Sequence, residues 1–239
     1  MKDMIKDDFK KISKYKNIIK LIGIVLMFIY IEYIKLIPII LFNIKEIAGP
    51  IAVILDAFKN VILILILFFI YRKDILKEWD IFRANMVDNV DAGVKYWFVG
   101  LLCMVISNLV INLVFKTNGA GNEQAVQEYI SYMPWMMLIN AGILGPFIEE
   151  IVFRKTFKDA FKKKWLFVLL SALVFGGMHV IGNLNNWYDV LYIIPYGCLG
   201  GAFALAYNET DTVFTSITLH TIHNCVLVMS AILTAFIMI

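Results

Sequence analysis

The stretch Trp135 to Phe157, WMMLINAGILGPFIEEIVFRKTF, decides the fold of this chain. It is long and apolar enough to cross a membrane, because a transmembrane helix needs about 20 predominantly apolar residues. It nevertheless contains Glu149, Glu150 and Arg154. Ionisable side chains in the hydrocarbon region cost at least about 2.5 to 3.5 kcal/mol each, so they usually mark a functional site. The stretch therefore predicts a membrane-spanning helix that contributes to such a site.

The rest of the chain has the same membrane-like composition. Hydrophobic residues make up 61% of the 239 positions, charged residues 17%, and the mean hydropathy is +0.77. Soluble domains contain roughly 45 to 50% apolar and 25% charged residues, so a soluble globular protein is excluded. We predict an all-α polytopic transmembrane bundle of about seven spans, within a range of six to eight. The predicted spans are 18–41, 47–71, 94–115, 134–155, 165–182, 187–207 and 212–239.

The distribution of lysine and arginine predicts the topology. Seven lysines within residues 1–20 indicate a cytoplasmic amino terminus beside anionic lipid of the cell membrane, not a nucleic-acid site. The run that follows has no small-residue cleavage site, so we expect an uncleaved anchor. Basic residues recur after the second and fourth spans, whereas 117–133 and 183–186 contain none. We also predict an interfacial amphipathic helix over 73–90.

One bundle is expected, with two parts. Residues 1–133 would form the amino-terminal spans and the interfacial helix. Residues 134–239 would form the core that contains the polar motifs.

The two carboxylates of the fourth span are predicted to have different partners. Adjacent helical residues are separated by about 100° of rotation, so Glu149 and Glu150 face different directions. Glu150 and Arg154 are four residues apart on one face, where an ion pair would fix both side chains. Glu149 then remains available as a general acid or base.

Polar residues also occur in the fifth and seventh spans. His179 follows Phe175 by one turn, and the intervening Gly176 and Gly177 would let another helix approach closely. A single histidine on an apolar helix is more often a packed core residue. His220 and Asn224 share a face and could donate two hydrogen bonds to an oxyanion, or simply form a polar seam between helices. We interpret the neighbouring His223 as a packing residue.

The three motifs in this order resemble one known family. EExxxR (Glu149, Glu150, Arg154), FxxxH (Phe175, His179) and HxxxN (His220, Asn224) closely resemble those of the CPBP family. That family comprises type II CAAX prenyl endopeptidases and bacterial Abi proteases for bacteriocin processing or self-immunity. The resemblance covers about residues 134–230. One departure is Lys155, where the family often has glycine.

The resemblance implies an intramembrane endopeptidase and a role for each motif. Glu149 and His179 would activate a water molecule, and His220 and Asn224 would stabilise the oxyanion. Glu150 and Arg154 would brace the site. The substrate would be a membrane-associated peptide or protein, reached through a cavity open to the cytoplasmic side. Counted from the basic loop, His179 lies about 10 Å deeper than Glu149, so the fifth helix must start deeper, tilt or kink.

The sequence leaves the metal and two alternative functions open. Two histidines and a carboxylate match the three protein ligands of catalytic zinc, although no HExxH motif is present. The sequence is therefore compatible with a mechanism that uses a divalent metal and with a metal-free mechanism. A catalytically silent scaffold that binds a partner would retain the same fold. A proton-coupled transporter is less favoured, because the sequence shows no internal repeat.

Overall fold

Eight helices form the described part of the chain. The computed structural model describes residues 2–33, 49–117 and 119–237, with side chains from Tyr15 onward. No strand occurs within these ranges, which confirms the all-α polytopic bundle. The helices are α1 (Lys2–Tyr33), α2 (Gly49–Ala84), α3 (Met86–Phe115), α4 (Gly121–Tyr132), α5 (Pro134–Ala160), α6 (Lys164–Val180), α7 (Ile193–Thr210) and α8 (Val213–Ile237).

The chain is a multi-pass membrane protein. Within the described residues, five helical segments are long and apolar enough to span a membrane: α2, α3, α5, α8 and Trp187–Thr210, in which a short 3-10 turn precedes α7. The apolar helix α6 is shorter, with 17 residues. The first predicted span, 18–41, runs beyond Tyr33 into residues 34–48, which lie outside the described ranges. The count of seven spans therefore remains a prediction.

The predicted interfacial helix over 73–90 is not a separate element. Its first part continues α2 to Ala84, and its last residues begin α3 after a turn at Asn85. Ile75, Glu78 and Phe82 recur at helical spacing and are buried. The helix face that these three residues form therefore packs against other helices of the bundle. Periodicity alone does not distinguish burial against other helices from burial in a membrane interface.

The basic loops lie together at one end of the bundle. Lys155 Nζ lies 3.3 Å from Glu78 Oε1, and Lys158 Nζ lies 2.8 Å from Asp211 Oδ1. Glu78 also accepts a hydrogen bond from the backbone N–H of Val213. These contacts join the end of α2, the end of α5 and the α7–α8 junction, and we call this region the basic end.

The loops without lysine or arginine lie together at a second end. Tyr192, just before α7, donates a hydrogen bond of 2.6 Å to Asn112 Oδ1 near the end of α3. The rings of Phe115 and Trp187 are 5.4 Å apart. A side chain added at Gly121, where α4 begins, would contact Asn183. The ends of α3 and α6 and the starts of α4 and α7 thus form what we call the α4 end.

Close contact between α6 and α7 depends on one glycine. A Cβ added at Gly176 would lie 2.7 Å from the backbone oxygen of Ile193 and 3.1 Å from the backbone nitrogen of Gly197. At Gly177 the nearest atom would be the flexible end of Ile181, at 3.8 Å. The sequence indicated a close approach at both glycines, but only Gly176 faces the neighbouring backbone.

We therefore expect Gly176→Ala to destabilise the protein and Gly177→Ala to be almost neutral. Overpacking costs about 1 to 3 kcal/mol, and at Gly176 two backbones must separate to relieve the clash. Thermal unfolding in detergent measures the difference. Equal melting temperatures for the two variants would contradict this packing arrangement.

Candidate active site

Helix α5 carries the two carboxylates between two irregular turns. Asn140–Leu144 and Ile151–Lys155 are π-helical, and the α-helical turn Gly145–Glu150 lies between them. Such π-segments are rare and often occur at functional sites. Asn60 of α2 donates a buried hydrogen bond of 2.6 Å to Asn140 Oδ1, which fixes the first π-segment. No pattern in the amino-acid sequence indicates either segment.

Glu150 and Arg154 form a fully buried ion pair. Both side chains are 0% exposed, and Arg154 Nε lies 3.2 Å from Glu150 Oε2. The guanidinium carbon of Arg154 lies 4.2 Å from the ring centre of Phe175, a cation–π contact. Glu150 Oε1 lies 2.9 Å from His220 Nδ1. Glu150 therefore holds the imidazole of α8, and its own position is fixed by Arg154.

Glu149 points away from this pair and towards two imidazoles. Its Oε2 lies 4.0 Å from His179 Nε2 and 3.8 Å from His220 Nε2. Both separations are too long for direct hydrogen bonds. A water molecule about 2.8 Å from both atoms of either pair would bridge that pair. About 21% of the Glu149 side chain is exposed, whereas Glu150 is 0% exposed. The Oε2 atom of Glu149 is itself buried and has no hydrogen-bond partner within the described residues.

The backbone and a second ring orient His179. Its Nδ1 lies 2.9 Å from the carbonyl oxygen of Phe175, so Nδ1–H donates and Nε2 carries the lone pair that faces Glu149. This tautomer is inferred from the hydrogen-bond partner. The ring of Tyr196 in α7 stacks on the imidazole at 4.7 Å. His179 is thus held as a proton acceptor.

The expected mismatch in depth between α5 and α6 is smaller than the sequence indicated. Helix α5 continues to Ala160, five residues beyond the predicted end of its span. Counted from Ala160 and from Lys164 at the start of α6, the difference between Glu149 and His179 falls to about 6 Å. The longer α5 therefore removes part of the expected difference in depth.

One N–H group of His220 and one of Asn224 form hydrogen bonds within the protein. The Nδ1–H of His220 donates to Glu150, and Asn224 Nδ2 donates a 2.9 Å hydrogen bond to the carbonyl oxygen of Ala141 in the first π-segment. Asn224 therefore joins α8 to α5, as the helix-seam interpretation predicts. Its second N–H and the Nε2 atom of His220 remain for a ligand. His223 is buried, with its ring 6.4 Å from that of Trp97.

The three atoms that converge do not fit a metal ion as they stand. Ligand atoms around tetrahedral zinc are about 3.3 Å apart, given bond lengths of about 2.0 to 2.1 Å. Glu149 Oε2 lies 3.8 Å from His220 Nε2 and 4.0 Å from His179 Nε2. Within the described ranges, no group of three histidine, cysteine or acidic residues is arranged to hold a metal ion.

A cavity of about 660 Å³ connects this site to the α4 end of the bundle. His179, His220 and Asn224 line it near the site, and Gln127 of α4 and Thr234 of α8 line it far from the site. The cavity therefore opens away from the basic end. If the basic end is the cytoplasmic one, as the distribution of lysine and arginine predicts, this lining differs from the expectation of a cavity open to the cytoplasmic side.

Comparison with known proteins supports the family resemblance. A family model described as "Type II CAAX prenyl endopeptidase Rce1-like" matches residues 131–226. That range contains all six motif residues, from Glu149 to Asn224. The match covers about two fifths of the chain and supports its similarity to the CPBP family.

The proteins to which this chain is similar include both named and uncharacterised bacterial proteins. It is 27% identical over 150 residues to the Bacillus subtilis (strain 168) protein named "Putative membrane peptidase YdiL", covering 59% of this chain and 58% of YdiL. It is 25% identical over 170 residues to "UPF0177 protein YxdF" of Lactococcus lactis, covering 66% and 86% of the two chains. An uncharacterized Mycoplasma capricolum protein is 32% identical over 119 residues, covering 47% and 33%. The match thus spans less than two thirds of YdiL. No solved structure matches.

Two aromatic residues of the candidate site were not predicted from the sequence. Tyr196 stacks on His179, and Phe203 stacks on His220 at 4.6 Å. Both belong to α7, and their spacing of seven residues places them on the same face. That spacing was a usable signal, since an aromatic pair on one face can cover two imidazoles.

Proposed function

We propose that this protein is an intramembrane endopeptidase that hydrolyses a peptide bond with a water molecule activated by Glu149 and His179. One observation carries the proposal: Glu149 Oε2 lies within 4.0 Å of the Nε2 atoms of both His179 and His220. The Rce1-like family match and the name of the YdiL relative support a peptidase. The substrate would be a peptide or protein associated with the lipid bilayer.

The mechanism begins with a water molecule between two acceptors. Its protons face Glu149 Oε2 and His179 Nε2, and its oxygen lone pair attacks the carbonyl carbon of the substrate. One proton moves to an acceptor as the new C–O bond forms. The same proton then passes to the departing nitrogen as the C–N bond breaks, which leaves a carboxylic acid and an amine. Neither Glu149 nor His179 is consumed.

His220 and Asn224 would stabilise the tetrahedral oxyanion. Because His220 Nδ1–H donates to Glu150, the imidazole can donate through Nε2 only when it carries both protons. Such an imidazolium would balance the charges of Glu149 and Glu150 together with Arg154. The second N–H of Asn224 would complete the oxyanion hole. Removing one donor of this kind typically lowers kcat by about 10²- to 10³-fold.

Complementation distinguishes an enzyme from a silent scaffold. A strain that lacks this protein is complemented with the wild type, with Glu149→Gln or with Glu128→Gln, an exposed carboxylate on α4. The endopeptidase proposal expects rescue by the wild type and by Glu128→Gln only. Rescue by Glu149→Gln at equal membrane abundance would favour a scaffold that acts through partner binding.

We expect peptide cleavage to be insensitive to chelators. The convergent atoms are too far apart for tetrahedral zinc, and the proposed proton transfers use only protein side chains. Purified protein is assayed before and after dialysis against 1,10-phenanthroline, with metal content measured in the same samples. Loss of activity that returns with added zinc would contradict a metal-free mechanism.

A further inference from the structure

We propose, resting on the endopeptidase function above, that substrates enter the site from the extracytoplasmic face, as an extended apolar segment bound in the groove between α4 and the last turns of α8. The cavity that leads to the catalytic residues defines this route. The basic loops define the opposite, cytoplasmic face.

Apart from the first part of α8, the helices that line the cavity contribute residues from their halves near the α4 end. Helix α6 contributes Phe175 and His179 close to its end, and α7 contributes Tyr196 and Leu199 close to its start. Helix α5 contributes Ala141, and no lining residue comes from its last two turns. Along α8 the lining begins at His220 and continues to Ala235, a length of about 22 Å. The cavity is therefore a one-sided channel from the catalytic residues to the α4 end.

A fully buried layer closes the other side of the site. Phe203 stacks on His220 and is 0% exposed, as are Glu150 and Arg154. Beyond them, Glu78 accepts hydrogen bonds from Tyr207 and from the backbone of Val213. Several aromatic side chains and a buried polar network would have to move before a peptide could reach Glu149 from the basic end.

The chemistry of the groove suits an apolar chain. Its walls carry Val126 and Ile130 from α4 and Leu227, Ala231 and Ala235 from α8. The hydroxyl groups of Ser230 and Thr234 in the same wall donate within α8, to Leu227 at 2.8 Å and to Ser230 at 2.9 Å. Uncharged side chains of the substrate are therefore buried beside them without breaking these hydrogen bonds. Asn122 and Gln127 offer amides to the peptide backbone near the opening.

Charge placement assigns this opening to the extracytoplasmic face. Residues 117–133 and 183–186 contain no lysine or arginine, whereas Lys155, Lys158 and residues 162–164 are at or beside the basic end. Lysine and arginine are enriched in cytoplasmic loops. The site would thus act on segments presented from outside the cytoplasm, and its soluble product would be released there.

Cysteine labelling in whole cells tests the route independently of catalysis. In a background with Cys103→Ala, Cys198→Ala and Cys225→Ser, single cysteines are introduced by Gln127→Cys in the groove, Asn185→Cys at the α4 end outside the cavity, and Lys162→Cys at the basic end. All three positions are exposed. A membrane-impermeant maleimide is applied to intact and to permeabilised cells, and cleavage is then assayed.

We expect Gln127→Cys and Asn185→Cys to react in intact cells and Lys162→Cys only after permeabilisation. A bulky maleimide at Gln127→Cys should lower cleavage at least tenfold, whereas the same label at Asn185→Cys should leave it unchanged. The reverse labelling pattern would overturn the assigned face. Labelling as expected with no loss of cleavage would overturn the groove as the route. The unlabelled protein without its native cysteines is also compared with its Glu149→Gln variant. If the two cleave peptide equally, the endopeptidase proposal fails, and not the proposed route.

Discussion

Glu149→Gln in purified protein is expected to lower the rate of peptide cleavage by about 10²- to 10⁴-fold, the usual contribution of a general base. The substitution preserves the volume of the side chain and removes the proton acceptor that faces both imidazoles. His179→Ala should have an effect of the same order, because the backbone bond to Phe175 leaves its Nε2 as the second acceptor. Cleavage of a quenched fluorescent peptide in proteoliposomes measures both.

The matched control for Glu149→Gln is Glu128→Gln, which removes an exposed carboxylate outside the cavity lining. Its cleavage rate should equal that of the wild type. All variants should elute as the wild type does in size-exclusion chromatography and should melt at similar temperatures. A folded Glu149→Gln protein with more than a tenth of the wild-type rate would remove Glu149 from the mechanism.

Arg154→Met is expected to lower the free energy of unfolding by about 3 to 5 kcal/mol, because it leaves the charge of Glu150 buried without its partner. The matched control is Arg83→Met. Arg83 lies 2.8 Å from Asp80, but both side chains are 62% exposed. Exposed ion pairs contribute about 0 to 1 kcal/mol, so this control should have little effect. Chemical unfolding in detergent measures both changes.

The double variant Glu150→Gln/Arg154→Met separates charge from shape. Removing both charges should restore much of the stability lost in Arg154→Met, since no uncompensated ion remains. Cleavage should stay low, because His220 loses the carboxylate that holds its Nδ1 atom. A double variant no more stable than Arg154→Met would show that packing against Phe175, and not charge balance, is the contribution of Arg154.

The local features of the site could be predicted from helical geometry. Rotation by about 100° per residue placed Glu150 and Arg154 on one face and turned Glu149 away, as the structure shows. The order of the three motifs led to the CPBP family, which the comparisons support. These predictions succeeded because they depend on spacing within single helices.

Features that depend on contacts between helices could not be predicted. The first π-segment of α5 begins at Asn140, which accepts a hydrogen bond from Asn60, 80 residues away in the chain. Asn224 donates one hydrogen bond to the backbone oxygen of Ala141. Its side chain therefore has a structural role in addition to the predicted role in stabilising the oxyanion. The end of the bundle at which the cavity opens is set by how α4 packs on α8. None of these contacts leaves a periodic pattern in the sequence.

Lys155 shows how a departure from a family motif becomes part of the packing. The motif often has glycine at this position, and here the lysine side chain is only 8% exposed. Its ammonium lies 3.0 Å from Asp159 Oδ1 and 3.3 Å from Glu78 Oε1. Lys155 therefore links α5 to α2 at the basic end.

The most direct test of the central claim compares membrane-associated peptides from cells that produce the wild type with those from cells that produce Glu149→Gln at equal abundance. Mass spectrometry of peptide termini is the measurement. A Glu149-dependent endopeptidase predicts new carboxyl and amino termini, in matched pairs from the same substrate, in wild-type cells only. Identical sets of termini in the two strains, under conditions in which the wild type complements its deletion, would contradict the claim that Glu149 activates water for peptide hydrolysis.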